Sequence, residues 1–278
     1  LDQEEKLMDR YADDSGRAIH IRQDIWPEGK TPDFQAEQCV PYIEWHIPET
    51  LKTTAIQIVY SGGGYNRNNP DEFEVAPIRR YLNEKGMAVV TLKYRTPRPE
   101  GLAKHTTAWQ DLQRTIRIVR SQAANRGLDP DRIGIMGGSA GGHLAAYAST
   151  FIPDEEKPAF SILFYPVITG ETWESHQDSF VQLLGKNRTV AEQEYYSLHN
   201  RVTPTAPPAL ILLSDDDAEV PTLSSILYYN ALKYYGIPAS MHIWPNEGHG
   251  WAAKPWCTCW DKAKPIIEDW LSIQRKDQ

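Results

Sequence analysis

Ser139 stands in a setting suited to nucleophilic chemistry. It is the centre of Gly137-Gly138-Ser139-Ala140-Gly141, a G-x-S-x-G frame. The apolar run "RIGIM" precedes the frame and the alanine-rich "AGGHLAAYAS" follows it, so strand, turn and helix meet at the serine. Such a sharp turn forces the serine backbone into strained angles, and side chains two residues to either side would collide. Glycines remove the collision and leave the hydroxyl exposed at the sheet edge. The helix that follows offers positive potential where an oxyanion would form. A plain Gly-Ser turn would account for the glycines but not for this frame.

A serine hydroxyl needs a base and an acid to orient that base, and in a strand-turn-helix setting they follow in the order Ser, Asp or Glu, His. "PNEGHGW" supplies His249, flanked by glycines just past the last apolar run. Of the other histidines, His143 lies on the helix behind the serine and His242 in mid-strand. His20, His46, His105, His176 and His199 precede the acid or lie in less suitable segments. For the acid, "LLSDDDAEVP" offers Asp215, Asp216 and Asp217, a run that is ordinarily just a solvated loop. Asp217 is favoured, Asp216 is second and Asp215 third; spacing alone does not separate them. Acyl transfer also needs backbone donors for the oxyanion. The Ala140 amide is one, and Gly63 and Gly64 of "VYSGGGYN" supply the others, since they lack a Cβ that would bar a ligand. Tyr65, Arg67 and Trp251, with Trp109 and Trp173, are candidates to line a substrate site, against an equal alternative of simple packing.

Positioning these groups requires a mainly parallel α/β sheet. "YIEWHIP" (Tyr42–Pro48) alternates as an edge strand would, and "AIQIVY" and "MAVVTLKY" are rich in β-branched residues. "FSILFYPVI" and "ALILLS" are continuous apolar runs, expected of strands covered on both faces. Helical spacing spans residues 72–85, 107–125, 223–235 and 262–273, and "SMHIW" is the last strand. Strands alternating with helices give right-handed βαβ units. The expected organisation is a polar N-terminal arm over residues 1–40 and one catalytic domain over residues 41–278. Residues 169–201 break the rhythm and read as a small insertion, a possible lid, over the carboxyl edge of the sheet.

Composition narrows the function classes. The 278 residues are 41% hydrophobic and carry a net charge of −8 with no basic tract, which argues against a nucleic-acid partner or an anionic membrane surface. No apolar run approaches the roughly 18 residues of a membrane span. Cys39, Cys257 and Cys259 form neither a disulfide framework nor a C-x-x-C pattern, so no metal site is expected. There is no Walker loop and no G-x-G-x-x-G, and side chains with backbone amides complete the chemistry, so no organic cofactor is expected either. The chain starts at Leu1 without methionine, as a trimmed form would; the expectation is a secreted or periplasmic protein, with a cytoplasmic one as the alternative.

With these residues in place, the chain resembles the α/β-hydrolase-fold serine esterases, and most of all their bacterial acetyl-xylan-esterase-like and feruloyl-esterase-like (BD-FAE-type) group. "SGGGY", "VVTLKYR", "DPDRIGIMGGSAGGHLA", "DDDAEVP" and "NEGHGW" carry the resemblance, which runs from Ala55 to Trp270. It implies that Asp217 is the acid, through the D-x-x-V-P frame of such enzymes. It also implies that the acyl group is small, acetate foremost, and that the alcohol is a carbohydrate such as xylan or its oligomers. One departure is Ser61, where many relatives have histidine before three glycines; backbone donors do not need that histidine. The alternatives are a prolyl-oligopeptidase-type peptidase, an esterase of feruloyl or short lipid esters, and a non-catalytic carbohydrate-binding relative.

Overall fold

The computed structural model describes residues 8–12, 18–71, 74–171, 175–254 and 257–274. Nine strands are seen among them: β1 (Met8–Ala12), β2 (Ala18–Asp24), β3 (Tyr42–Pro48), β4 (Ile56–Tyr60), β5 (Ala88–Lys93), β6 (Ile133–Gly138), β7 (Phe160–Phe164), β8 (Ala209–Ser214) and β9 (Ala239–Trp244). The helices are α1 (Ala76–Glu84), α2 (Thr106–Ala123), α3 (Ser139–Thr150), α4 (Gln177–Leu184), α5 (Val190–Tyr195), α6 (Thr222–Tyr234) and α7 (Thr258–Ile273). All nine strands join one sheet in the order β1-β2-β3-β5-β4-β6-β7-β8-β9. The first three pair antiparallel, as do β3 and β5; from β5 through β4 to β9 every pairing is parallel. This is the α/β-hydrolase arrangement, a mainly parallel sheet with helices packed around it.

The central strands are buried along their whole length, which is why β4, β7 and β8 read as unbroken apolar runs rather than as alternating ones. β9 closes the far edge and is only partly buried. Tyr42–Pro48 differs from its expected place at the edge: β3 pairs with β5 on one side and with β2 on the other. Strands from the segment before residue 41, expected to form an arm, cover the side that would otherwise be open. Helix bounds differ from the sequence-based ones by a few residues; α1 starts at Ala76 and α7 at Thr258.

A parallel sheet places the carboxyl ends of its strands along one rim, and the loops leaving β4, β6, β7, β8 and β9 meet there. The rim is braced from below by a fully buried ion pair. Arg95, just past β5, and Asp111 on α2 are both 0% exposed, with Nη2 and Oδ1 2.8 Å apart. Asp111 also accepts the Arg95 backbone amide at 2.9 Å and the Trp26 indole N–H at 2.8 Å. That fixes the end of β5, where the neighbouring Tyr94 hydroxyl donates to the Ser61 carbonyl at 3.0 Å. No helix among the described residues is long and apolar enough to cross a membrane.

Candidate active site

Ser139 sits at the junction of β6 and α3 with φ +54°, in the left-handed region that a non-glycine residue seldom occupies. Gly138 before it is extended and Ser139 opens the helix. Two close backbone approaches explain the surrounding glycines. A Cβ on Gly141 would lie 2.7 Å from the Ser61 carbonyl oxygen, and one on Gly62 would lie 2.9 Å from the Ser139 Cβ. The loop after β4 therefore packs directly against the serine turn, and any side chain at either position would push the two apart.

The loops after β8 and β9 bring the other two groups to the serine. His249 Nε2 is 2.9 Å from Ser139 Oγ, and His249 Nδ1 is 2.6 Å from Asp217 Oδ2. Asp217 is fixed by a turn of its own backbone: its Oδ1 accepts the amides of Glu219 at 2.9 Å and Val220 at 2.8 Å. Its side chain is 1% exposed, so its charge faces the imidazole with little competition from water. A carboxylate on Nδ1 places the ring proton there and leaves Nε2 free to accept from the serine hydroxyl. Asp216 has a different role: its Oδ1 accepts from Ser214 Oγ at 2.7 Å and from the Glu247 and Gly248 amides at 2.9 Å each. It holds the loop that carries His249 without touching the ring. Asp215 is exposed; its backbone amide continues the ladder to Trp244.

The glycine loop after β4 faces Ser139. Among the described residues the amides of Gly63 and Gly64 have no acceptor, while Gly62 donates to Glu74 Oε2 at 3.0 Å. The Ala140 amide lies in the first turn of α3, where no intrahelical acceptor exists. Ser61, the departure noted above, closes this loop: its Oγ accepts the Asn69 amide at 3.0 Å. Glu74 has φ +75° and bridges two loops, because its Oε1 accepts the Tyr165 hydroxyl at 2.6 Å. Tyr165 in turn accepts the Ala252 amide at 3.1 Å, and its ring lies 4.7 Å from that of His249. Burial and then the adjacent Glu74 carboxylate push the Tyr165 phenol well above its usual range, so it stays a donor. One carboxylate thus ties the glycine loop to the histidine loop. Nothing in the sequence marks Glu74 among the neighbouring acids, and the hint at Tyr165 is only its place at a strand's carboxyl end.

These groups open into a cleft of about 890 Å³ lined by Ser139, His249, the glycine loop and polar side chains including Arg67, Lys93 and Gln182. The segment expected as an insertion borders it through α4: His176, Asp178, Val181 and Gln182 all face the cleft. Burial, then the nearby His249, lowers the His176 imidazole below its ordinary value. No motif in the sequence marks His176, which precedes the aspartates of "LLSDDDAEVP" in the chain. Of the expected substrate contacts, Arg67 lines the cleft but Tyr65 and Trp251 do not. A left-handed backbone at Tyr65, φ +62°, turns its ring into the core, where its hydroxyl meets His143 Nδ1 at 2.8 Å. Trp251 is 1% exposed and packs on Phe164, Tyr165 and Trp244. Trp109 is stacked between Tyr147 and Tyr196, and Trp173 lies outside the described residues.

Comparison with known proteins gives a consistent set of similarities. Residues 44–158 match the BD-FAE family. An acetylxylan esterase of Xylanibacter ruminicola is 34% identical over 234 residues, which are 81% of this chain and 46% of that protein. Endo-1,4-beta-xylanase B of Butyrivibrio fibrisolvens is 30% identical over 241 residues, 83% of this chain and 38% of that protein. The chain therefore spans less than half the length of these two curated relatives. The crystal structure of an acetyl ester-xyloside bifunctional hydrolase from Caldicellulosiruptor lactoaceticus superposes with a TM-score of 0.78 at 31% identity, covering 90% of this chain and 95% of that one.

Proposed function

The chain belongs to the α/β-hydrolase-fold esterases of the BD-FAE and acetylxylan-esterase-like group, and on that premise we propose that it is a serine carboxylesterase that removes small acyl groups, acetyl foremost, from a carbohydrate such as xylan or its oligomers. The hydrogen-bonded series from Ser139 through His249 to Asp217 is the observation that carries the proposal. Ser139 Oγ attacks the ester carbonyl while His249 Nε2 takes its proton. Asp217 holds the ring in the tautomer that can accept this proton and stabilises the imidazolium that results. The amides of Gly63, Gly64 and Ala140 receive the oxyanion; losing one such donor costs about 10²–10³ in rate. Protonated His249 then gives its proton to the leaving alcohol, which leaves an acyl group on Ser139. Water repeats the sequence, with His249 again as base, and frees the acid.

Two observations support a carbohydrate alcohol and a short acyl group. The cleft wall is polar, with Asn66, Arg67, Asn69, Lys93 and Gln182 offering hydrogen bonds suited to a surface of hydroxyls. Two of the three relatives named above are an acetylxylan esterase and an acetyl ester-xyloside bifunctional hydrolase, and the third is an endo-1,4-beta-xylanase. The test is hydrolysis of the 4-nitrophenyl esters of acetate, butyrate and octanoate by wild type and Ser139→Ala, followed by acetylated xylo-oligosaccharides. The expected result is turnover that favours acetate, falls by about 10⁴ or more in the variant, and extends to the sugar esters. Wild-type turnover that Ser139→Ala leaves unchanged would remove the proposed nucleophile. A preference for octanoate, or inactivity on sugar acetates, would remove the proposed substrate class.

A further inference from the structure

Directly beside the loop that carries His249, three potential metal ligands converge from two different elements. Glu247 comes from that loop, and Cys257 and Cys259 from the start of α7. One donor atom from each lies within 4.8 Å of the other two. Among the described residues no other three such side chains come together in this way. We propose that they form a site for one thiophilic divalent cation, Zn²⁺ or a chemical equivalent such as Cd²⁺.

The chemistry of the donor set favours such an ion over Mg²⁺ or Ca²⁺, since two sulfurs and one carboxylate suit a borderline or soft cation. Both thiols are sequestered, Cys257 at 6% and Cys259 at 0% exposure. Cys257 Sγ donates to Glu247 Oε2 at 2.8 Å, so a proton now occupies the space between sulfur and oxygen. Binding M²⁺ releases the two thiol protons to solvent and leaves two thiolates and one carboxylate around the ion. Two protons leave as two positive charges arrive, so the net charge of the site does not change. The fourth tetrahedral position stays open to water. Tetrahedral zinc, with sulfur at about 2.3 Å and oxygen at about 2.0–2.2 Å, sets its donors about 3.5–3.8 Å apart, so Cys257 Sγ and Glu247 Oε2 part from 2.8 Å by less than about 1 Å and no pair has to close from the 4.8 Å limit by more than about 1.3 Å. In the metal-free protein burial, and then the Glu247 carboxylate, push both thiols above their usual range, so the ion must displace their protons and binding strengthens as pH rises.

Occupation would tie the His249 loop to α7. The Glu247 amide already donates to Ser214 Oγ at 2.8 Å and to Asp216 Oδ1 at 2.9 Å, so the backbone on one side of the site is held to β8. The sequence pattern concealed the site because its two cysteines have the unusual C-x-C spacing and the third donor is a carboxylate ten residues upstream of Cys257.

The test uses reduced, metal-free protein dialysed against Zn²⁺ or Cd²⁺. The expected result is one ion retained per chain, a raised melting temperature, and a Cd–thiolate charge-transfer band sized for two sulfurs. Cys257→Ser and Cys259→Ser should each weaken binding at least a hundredfold and remove half of that band. X-ray absorption at the zinc edge of the wild-type protein supplies a readout that needs no variant: two sulfur neighbours at about 2.3 Å. No retained ion, a shell of nitrogen and oxygen only, or binding that survives both serine variants through Cys39 or His249 would each overturn the site.

Discussion

Exchanging a single carboxylate oxygen for an amide at Asp217 should disable the base without disturbing the cleft. In the structure Asp217 Oδ1 accepts two backbone amides, from Glu219 and Val220, while Oδ2 faces His249 Nδ1 at 2.6 Å. Asparagine at this position must keep its oxygen toward the two amides, so its NH₂ group points at the imidazole. A donor facing Nδ1 drives the ring proton to Nε2, which then offers Ser139 an N–H where it needs an acceptor. The imidazolium also loses the counter-charge that stabilises it. The same exchange in a serine-protease triad lowers kcat by about 10⁴, and that is the loss expected for Asp217→Asn, about 5.5 kcal/mol at the transition state. KM should barely move, because a side chain 1% exposed does not touch substrate. Asp216→Asn is the matched control. One oxygen of Asp216 takes all three of its donors, and an asparagine carbonyl can take them too, so the loss should stay below about tenfold. Initial rates on 4-nitrophenyl acetate, with circular dichroism to verify folding, separate the two. Should Asp217→Asn keep more than about a tenth of wild-type kcat while Asp216→Asn loses a hundredfold, the orienting role belongs to Asp216 and the tautomer reasoning is wrong.

Three further outcomes follow from the same contacts. Burial lowers both His105 and His143 to about 4, so the folded protein keeps them neutral where the unfolded chain, near 6.5, takes up protons. Stability should therefore be intact above about pH 6.5 and drain as pH falls toward 4, by about 3 kcal/mol per histidine; a urea midpoint unchanged between pH 7 and 4.5 would contradict this. Glu74→Gln leaves one acceptor for two donors, Gly62 N–H and the Tyr165 hydroxyl, and should lower kcat by about 10–100-fold with a smaller change in KM. An equal rise in KM at constant kcat would instead make Glu74 a substrate contact. Asp111→Asn leaves the Arg95 charge buried without its partner and should lower unfolding free energy by about 3–5 kcal/mol in urea titration; a loss below about 1 kcal/mol would show that the pair contributes little to fixing β5.

What the sequence determined by itself is what local chemistry writes into neighbouring residues. The runs at β7 and β8 announced strands covered on both faces, because burial on both sides leaves no position for a polar side chain. The serine turn was legible because a backbone at φ +54° against a second loop tolerates only glycine around it. His249 was legible from its place after the last strand. The choice among Asp215, Asp216 and Asp217 was not settled by spacing, since an irregular loop has no period; the turn closed by Val220 aims one carboxylate inward and leaves two outside. Tyr65 and Trp251 looked like sugar platforms, but the direction of a ring depends on its backbone angle and on the space the core leaves to fill. Glu74 and Tyr165 stand 91 positions apart, and Glu247 reaches cysteines across a turn of chain. Such pairings have no local signature: they exist only after the sheet has brought five loops to one rim, where a hydrogen bond or a shared proton fixes them.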